Sequence, residues 1–206
     1  MVKVKICGIT NLEDAFAAIA SGADALGFLF YKKSPRYITP EEASRIIRKL
    51  PERVIKIGIF VNARESNVRK IAKKCRLDML QFHGNESCGF CDRFKDYKVI
   101  KSIRVRGKKE LKNIVNYNPF AFLFDTLTKS RLGGTGKSFD WSLITGMSGL
   151  KQPVFLSGGL NEKNVGKAIR IACPSWVDVS SSVESTYGRK DHNKLKSFIR
   201  AAKKRG

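Results

Sequence analysis

The chain has 206 residues, 42% of them hydrophobic, which suits one sizeable folded core and excludes a disordered tail. Lys and Arg outnumber Asp and Glu by 40 to 18, a formal net charge of +22, so the protein attracts polyanions and phosphorylated metabolites. No apolar run reaches the ~18 residues of a membrane span, and the start, Met1-Val2-Lys3-Val4-Lys5, reads as a strand without the apolar stretch of a signal peptide.

Short β-branched and aromatic runs alternate with segments of helical spacing. Strands are predicted to begin near Val2, Ala23, Val54, Asp78, Lys98, Ala121, Pro153 and Trp176. The runs 25–30, 55–61 and 120–124 are apolar on both faces, as in parallel strands covered by helices. Between them lie helical faces. These are Leu12, Phe16 and Ile19; then Ala43, Ile46, Ile47 and Leu50; then Val68, Ile71, Ala72 and Cys75. Later come Leu111, Ile114 and Val115, then Val165, Ala168, Ile169 and Ala172, and finally Leu195, Phe198, Ile199 and Ala202. Thr10 with Glu13, and Thr39 with Glu42 behind Pro40, read as capping boxes. Eight strand–helix units in a chain of this length predict an α/β fold, a single-domain (β/α)8 barrel over 1–206. An open doubly wound sheet is the alternative.

In such a barrel the residues just after each strand share one pocket. Cys7 and Gly8 follow strand 1, Ser34-Pro35-Arg36 follows strand 2, and His83-Gly84 follows strand 4. Arg104 ends strand 5, Asp125 ends strand 6, and Ser157-Gly158-Gly159 follows strand 7. Strand 8 adds Asp178 and Ser180-Ser181-Ser182. A lone Cys is more often a small core residue, and Asp125 and His83 each have a plain reading as a helix cap or a hydrogen-bonded loop residue. Their convergence with cations and two small-residue loops is what packing does not explain. The loops after strands 7 and 8 are where this fold often builds a phosphate site, with a helix expected near Asn161 aiming its N–H groups there.

Other motifs carry less. Gly133-Gly134-Thr135-Gly136-Lys137-Ser138 misses the nucleotide P-loop because Arg131 stands where Gly is required, so a glycine-rich lid is expected. Cys88-Gly89-Phe90-Cys91 lacks a second ligand pair and reads as two helix thiols, not a metal site. Five Cys without regular spacing suit reduced thiols in a cytoplasmic protein. The basic residues are dispersed and no nucleic-acid-binding motif occurs, which argues against a nucleic-acid partner.

The segments KICGIT at 5–10, DALGF and SPRYI within 24–38, GIFVN at 58–62 and LQFHG at 80–84 resemble phosphoribosylanthranilate isomerase of the tryptophan pathway. So do FD at 124–125, GGTGKSFDW at 133–141, LSGGLN at 156–161 and VDVSS at 177–181. The resemblance implies an Amadori rearrangement of N-(5'-phosphoribosyl)anthranilate without cofactor or metal, in a monomer or homodimer acting on a phosphorylated small molecule. It implies Asp125 as general acid, Cys7 as general base, Arg36 on the anthranilate carboxylate, and His83 and Asp178 in the substrate pocket. Gly158, Gly159, Ser180 and Ser181 would line the phosphate site. A thiol base needs partial ionisation, for which Lys5 is one source. Where the family usually has Gly, this chain has Ser182, and a later Pro is Tyr187. If that Gly served a positive φ or a close backbone approach, Ser182 weakens or reshapes the phosphate site. A barrel that only binds a phosphorylated ligand or RNA, or a sibling phosphosugar enzyme, is the alternative.

Overall fold

The computed structural model describes residues 1–105, 107, 111, 113–126, 141–145 and 150–204. The glycine-rich stretch 133–138, expected as a lid, lies outside them. Eight strands run parallel and in sequence order: β1 (Lys3–Cys7), β2 (Ala25–Leu29), β3 (Ile55–Phe60), β4 (Met79–Phe82), β5 (Lys98–Val105), β6 (Ala121–Thr126), β7 (Val154–Ser157) and β8 (Trp176–Val179). β1 pairs with both β2 and β8, which closes the sheet and excludes the open alternative. The result is a single-domain (β/α)8 barrel.

Helices between the strands bury one face each. They are α1 (Leu12–Ala20), α2 (Pro40–Ile47), α3 (Glu65–Cys75), α4 (Cys88–Cys91), α5 (Ser142–Thr145), α6 (Val165–Ala172) and α7 (His192–Lys203). α2 has the full capping box of Thr39 and Glu42 with Pro40 in its first turn, a device typically worth about 1 kcal/mol. Cys88 and Cys91 sit on the one-turn α4 as unpaired thiols, and burial pushes Cys91 up to about 11.

Two separate apolar clusters explain why the strands are apolar on both faces. The larger one lies between sheet and helices. The smaller fills the barrel's N-terminal end with Ala25, Ile57, Met79, Ile100, Ala121, Leu123, Phe155 and Trp176, where Phe155 and Trp176 stack at 4.8 Å. Side chains alternate along a strand, so positions two and four residues beyond these plugs rise inside the barrel toward its C-terminal mouth. That alternation delivers Lys5 and Cys7 from β1, Gln81 and His83 from β4, Asp125 from β6, and Asp178 and Ser180 from β8.

Three local expectations change. α1 buries Asp14, Ala15 and Ala18, whereas Phe16 is 43% exposed, because small residues let this helix lie close to its neighbours. Its cap is Asn11, whose side chain accepts from the Asp14 N–H; the Thr10 hydroxyl is instead committed to the Gly188 carbonyl, 178 residues away. After β7 the helix begins at Val165, not near Asn161, because Asn161 and Asn164 first build a turn of side-chain-to-backbone bonds. A further feature had no sequence expectation. Beyond a short 3-10 turn, Ser181–Val183, the chain forms an antiparallel hairpin, β9 (Glu184–Thr186) and β10 (Arg189–Lys190), before α7.

Candidate active site

The barrel mouth opens into a cavity of about 550 Å³. Every sequence-predicted site residue lines it: Cys7, Arg36, His83, Asp125, Gly158, Gly159, Asp178, Ser180 and Ser181. Leu29, Ile59 and Val61 supply an apolar wall on the β2–β3 side, and Arg104 joins from β5.

Cys7 lies opposite Gly27 in the β1–β2 register. A Cβ at Gly27 would stand 3.1 Å from the Cys7 Sγ, so glycine leaves the room that the thiol occupies. Under Cys7 lies a buried polar layer. Lys5, with no exposed surface, places its Nζ 3.0 Å from Asp178 Oδ1 across the β1–β8 register and donates to Gln81 Oε1 at 2.8 Å. Burial alone would lower the Lys5 ammonium's pKa, but Asp178 and Cys7 beside it win and raise it. Burial pushes the Asp178 carboxyl up, and the Lys5 ammonium pulls against that rise.

Cys7 itself is raised. Burial is the largest cause, opposed by Lys5, reinforced by Asp178 and opposed again by Lys190. Positive potential at the thiol is therefore present as expected, but dehydration outweighs it, and the resting form at neutral pH is the protonated thiol. Across the mouth, Asp125 Oδ2 is 3.2 Å from His83 Nε2, and His83 Nδ1 is 2.8 Å from Gln81 Nε2. One continuous set of polar contacts thus runs from Asp178 through Lys5, Gln81 and His83 to Asp125.

Arg36 presents its side edge to Glu184, with Nε to Oε1 at 2.8 Å and Nη2 to Oε2 at 2.6 Å. The pairing with Glu184 raises the Arg36 pKa. Burial works to raise Glu184, but the Arg36 and Lys190 cations prevail and lower it. A guanidinium has five N–H donors, so this side-on fork leaves its end-on edge for another carboxylate. The guanidinium carbon of Arg36 lies 5.2 Å from the centroid of the Tyr187 ring, over its face.

On the opposite side, Gly158 and Gly159 line the cavity with φ of +92° and +64°, a left-handed conformation that favours glycine. Asn164 Nδ2 fixes this loop through the Gly159 carbonyl. Two serine expectations need refinement. The Ser180 hydroxyl donates to the Cys7 carbonyl and the Ser182 hydroxyl to the Leu160 carbonyl, so both face protein acceptors. Ser181 lines the cavity beside the Gly158–Gly159 loop. Ser182 has no positive φ, so its side chain carries no left-handed backbone strain.

Sequence reasoning missed Gln81, Glu184 and Lys190. Lys190 Nζ donates to the carbonyls of Cys7 and Ser180 and to Glu184 Oε1, tying the β9–β10 hairpin beneath the mouth. Gln81 was legible in principle, because it stands two residues before His83 on the same face of β4; the signal was there and polar character inside an apolar strand was its mark.

Among the described residues, no group of three or more His, Cys, Asp or Glu is arranged to hold a metal ion, and no helix is long and apolar enough to cross a membrane. The sequence pattern of the family described as N-(5'phosphoribosyl)anthranilate (PRA) isomerase matches residues 4–201. The chain is 48% identical to N-(5'-phosphoribosyl)anthranilate isomerase of Pelobacter propionicus, over 98% of this chain and 96% of that one. It superposes on the crystal structure of phosphoribosyl anthranilate isomerase from Thermotoga maritima with a TM-score of 0.93 at 46% identity, covering 98% and 99% of the two chains. A second crystal structure of such an isomerase, in complex with reduced 1-(o-carboxyphenylamino)-1-deoxyribulose 5-phosphate, superposes with a TM-score of 0.91 at 44% identity and the same coverage.

Proposed function

The chain belongs to the family of N-(5'-phosphoribosyl)anthranilate isomerases, and from that premise we propose that Cys7 is the base and Asp125 the acid of its reaction. The protein is an isomerase of tryptophan biosynthesis. The observation that supports these roles is the shared cavity. It places a thiol from β1 and a carboxyl from β6, two strands apart through β7 and β8, around a space that fits one sugar phosphate.

The steps follow from that placement. Asp125 protonates the furanose ring oxygen, the bond from that oxygen to C1' breaks, and the anthranilate nitrogen's lone pair closes a C=N bond, giving a cationic Schiff base. The Cys7 thiolate removes the C2' proton, and the C–H electrons form the C1'=C2' enolamine as the positive nitrogen is neutralised. Tautomerisation moves the C2' hydroxyl proton off and a proton onto C1', leaving the ketone of 1-(2-carboxyphenylamino)-1-deoxyribulose 5-phosphate. Cys7 acts as thiolate although the free site favours thiol. The cation formed on ring opening adds to Lys5 and Lys190 as a partner for that charge.

Binding at both ends sets the geometry. Arg36, held side-on by Glu184, presents its end-on edge to the anthranilate carboxylate. The Gly158–Gly159 loop and the Ser180–Ser181 turn meet the phosphate with backbone N–H groups. His83 and Asp178 face the sugar between them. We place this activity in the cytoplasm, in a monomer or homodimer; the isomerase of Thermotoga maritima is dimeric and has also been crystallised as monomers generated from that dimer.

The test is turnover of phosphoribosylanthranilate by the purified protein, followed as loss of its fluorescence. Wild type should be active. Cys7→Ser and Asp125→Asn should each lose about 10²–10⁴-fold in kcat while remaining folded, the usual worth of a general acid or base. Variants within threefold of wild type would overturn the assignment of roles.

A further inference from the structure

Gln81 sits at the centre of the polar layer, 1% exposed, with one end of its amide on Lys5 and the other on His83. A lysine ammonium only donates hydrogen bonds, so the amide atom 2.8 Å from Lys5 Nζ is the oxygen. The amide nitrogen therefore faces His83, and it too only donates. His83 Nδ1, 2.8 Å away, must accept, which leaves its ring proton on Nε2. Nε2 is 3.2 Å from Asp125 Oδ2 and donates to it.

We propose that Gln81 is a positioning residue that, oriented by Lys5, locks His83 as the neutral Nε2–H tautomer hydrogen-bonded to Asp125. Its consequence for catalysis rests on the reading of Asp125 as the acid. An imidazolium beside a carboxyl favours the ionised carboxylate, which has no proton to give. A neutral imidazole still orients the carboxyl and stabilises the carboxylate after transfer, without holding it ionised beforehand. The lock works because a second ring proton on Nδ1 would point at the Gln81 amide hydrogens. The charged and titratable groups around the ring are Lys5 and Cys7 from β1, Arg104 from β5, Asp125 from β6 and Asp178 from β8. Lys5 is engaged by Asp178 and Gln81, so its charge orients the amide and makes no bond to the ring itself.

The chain has two histidines, His83 and His192, so a spectrum of imidazole nitrogens in uniformly ¹⁵N-labelled protein resolves two rings, assigned with a His192→Asn variant. At pH 7 wild-type His83 should show the neutral Nε2–H pattern; an Nδ1–H tautomer or an imidazolium would overturn the proposal. Gln81→Glu offers an acceptor to Lys5 and also to Nδ1–H, so His83 should become imidazolium there. Its kcat should fall at least about tenfold, with KM within about threefold and a pH profile displaced to lower pH. A Gln81→Glu enzyme with a neutral His83 and wild-type kcat would also overturn it. Should that variant not fold, the wild-type spectrum alone decides. An active Asp125→Asn enzyme would instead remove the acid assignment and leave the tautomer result standing.

Discussion

At Cys7 two ammonium groups act against burial, and the direction of the outcome dictates a pH dependence. A thiol whose pKa is raised is ionised in only a small fraction at neutrality, and that fraction grows as the pH rises. The rate at which iodoacetamide alkylates Cys7 in the wild-type enzyme should therefore climb through pH 7 to 9 instead of levelling off near neutrality. A profile flat across that range would show that the thiolate is already formed. Lys5 carries the stability side of the same layer. Lys5→Met leaves the buried Asp178 carboxyl without its cation, so urea denaturation should show a loss of about 3–5 kcal/mol. Asp178→Leu added to Lys5→Met should recover part of it, because two apolar groups of similar volume need no partner.

The loops after β7 and β8 show how far an element's role departs from its composition. Ser180-Ser181-Ser182 reads as a supply of hydroxyls and amides, yet the hydroxyls of Ser180 and Ser182 hold this loop to β1 and to Leu160. Gly158→Asp forces a side chain onto a φ of +92° and sets a carboxylate at the proposed phosphate site. Inorganic phosphate should inhibit the wild type competitively and this variant much less. Equal inhibition of both would place the anion outside this loop. Ser182→Gly removes the tie between the two loops, so its KM should rise modestly or stay unchanged; a lower KM would mean that the tie strains the site. The hairpin β9–β10 belongs at this scale too. Its Glu184 and Lys190 are buried together, and Glu184→Gln should raise KM by loosening the Arg36 edge while leaving kcat within about threefold.

Across the whole molecule the +22 charge is spread over the helices, where it acts as a field. A substrate carrying a phosphate and a carboxylate is steered as it approaches such a surface, and salt screens the steering over about 8–10 Å at 0.1–0.15 M. Raising ionic strength from 20 to 500 mM (roughly a fivefold contraction of the Debye length) should lower kcat/KM severalfold and leave kcat nearly unchanged. A salt-independent kcat/KM would mean that the surplus charge has no part in substrate capture.

The barrel and the rim of the cavity were legible in the chain because both follow from local rules. Continuous apolar runs at strand–helix spacing require parallel strands covered by helices, and closure puts every strand end at one mouth. Cys7, His83, Asp125 and Asp178 could therefore be brought together from their positions alone. What the sequence could not decide is which polar groups satisfy one another. Arg36 and Glu184 are 148 residues apart, Lys190 and the Cys7 carbonyl 183, and Lys5 and Gln81 76. Those partners meet only because β8 and its hairpin return beside β1, and because inward-facing side chains from different strands fall at the same height. The same closure packs protein around Cys7, and that burial, more than the neighbouring charges readable in the sequence, sets the direction of its pKa.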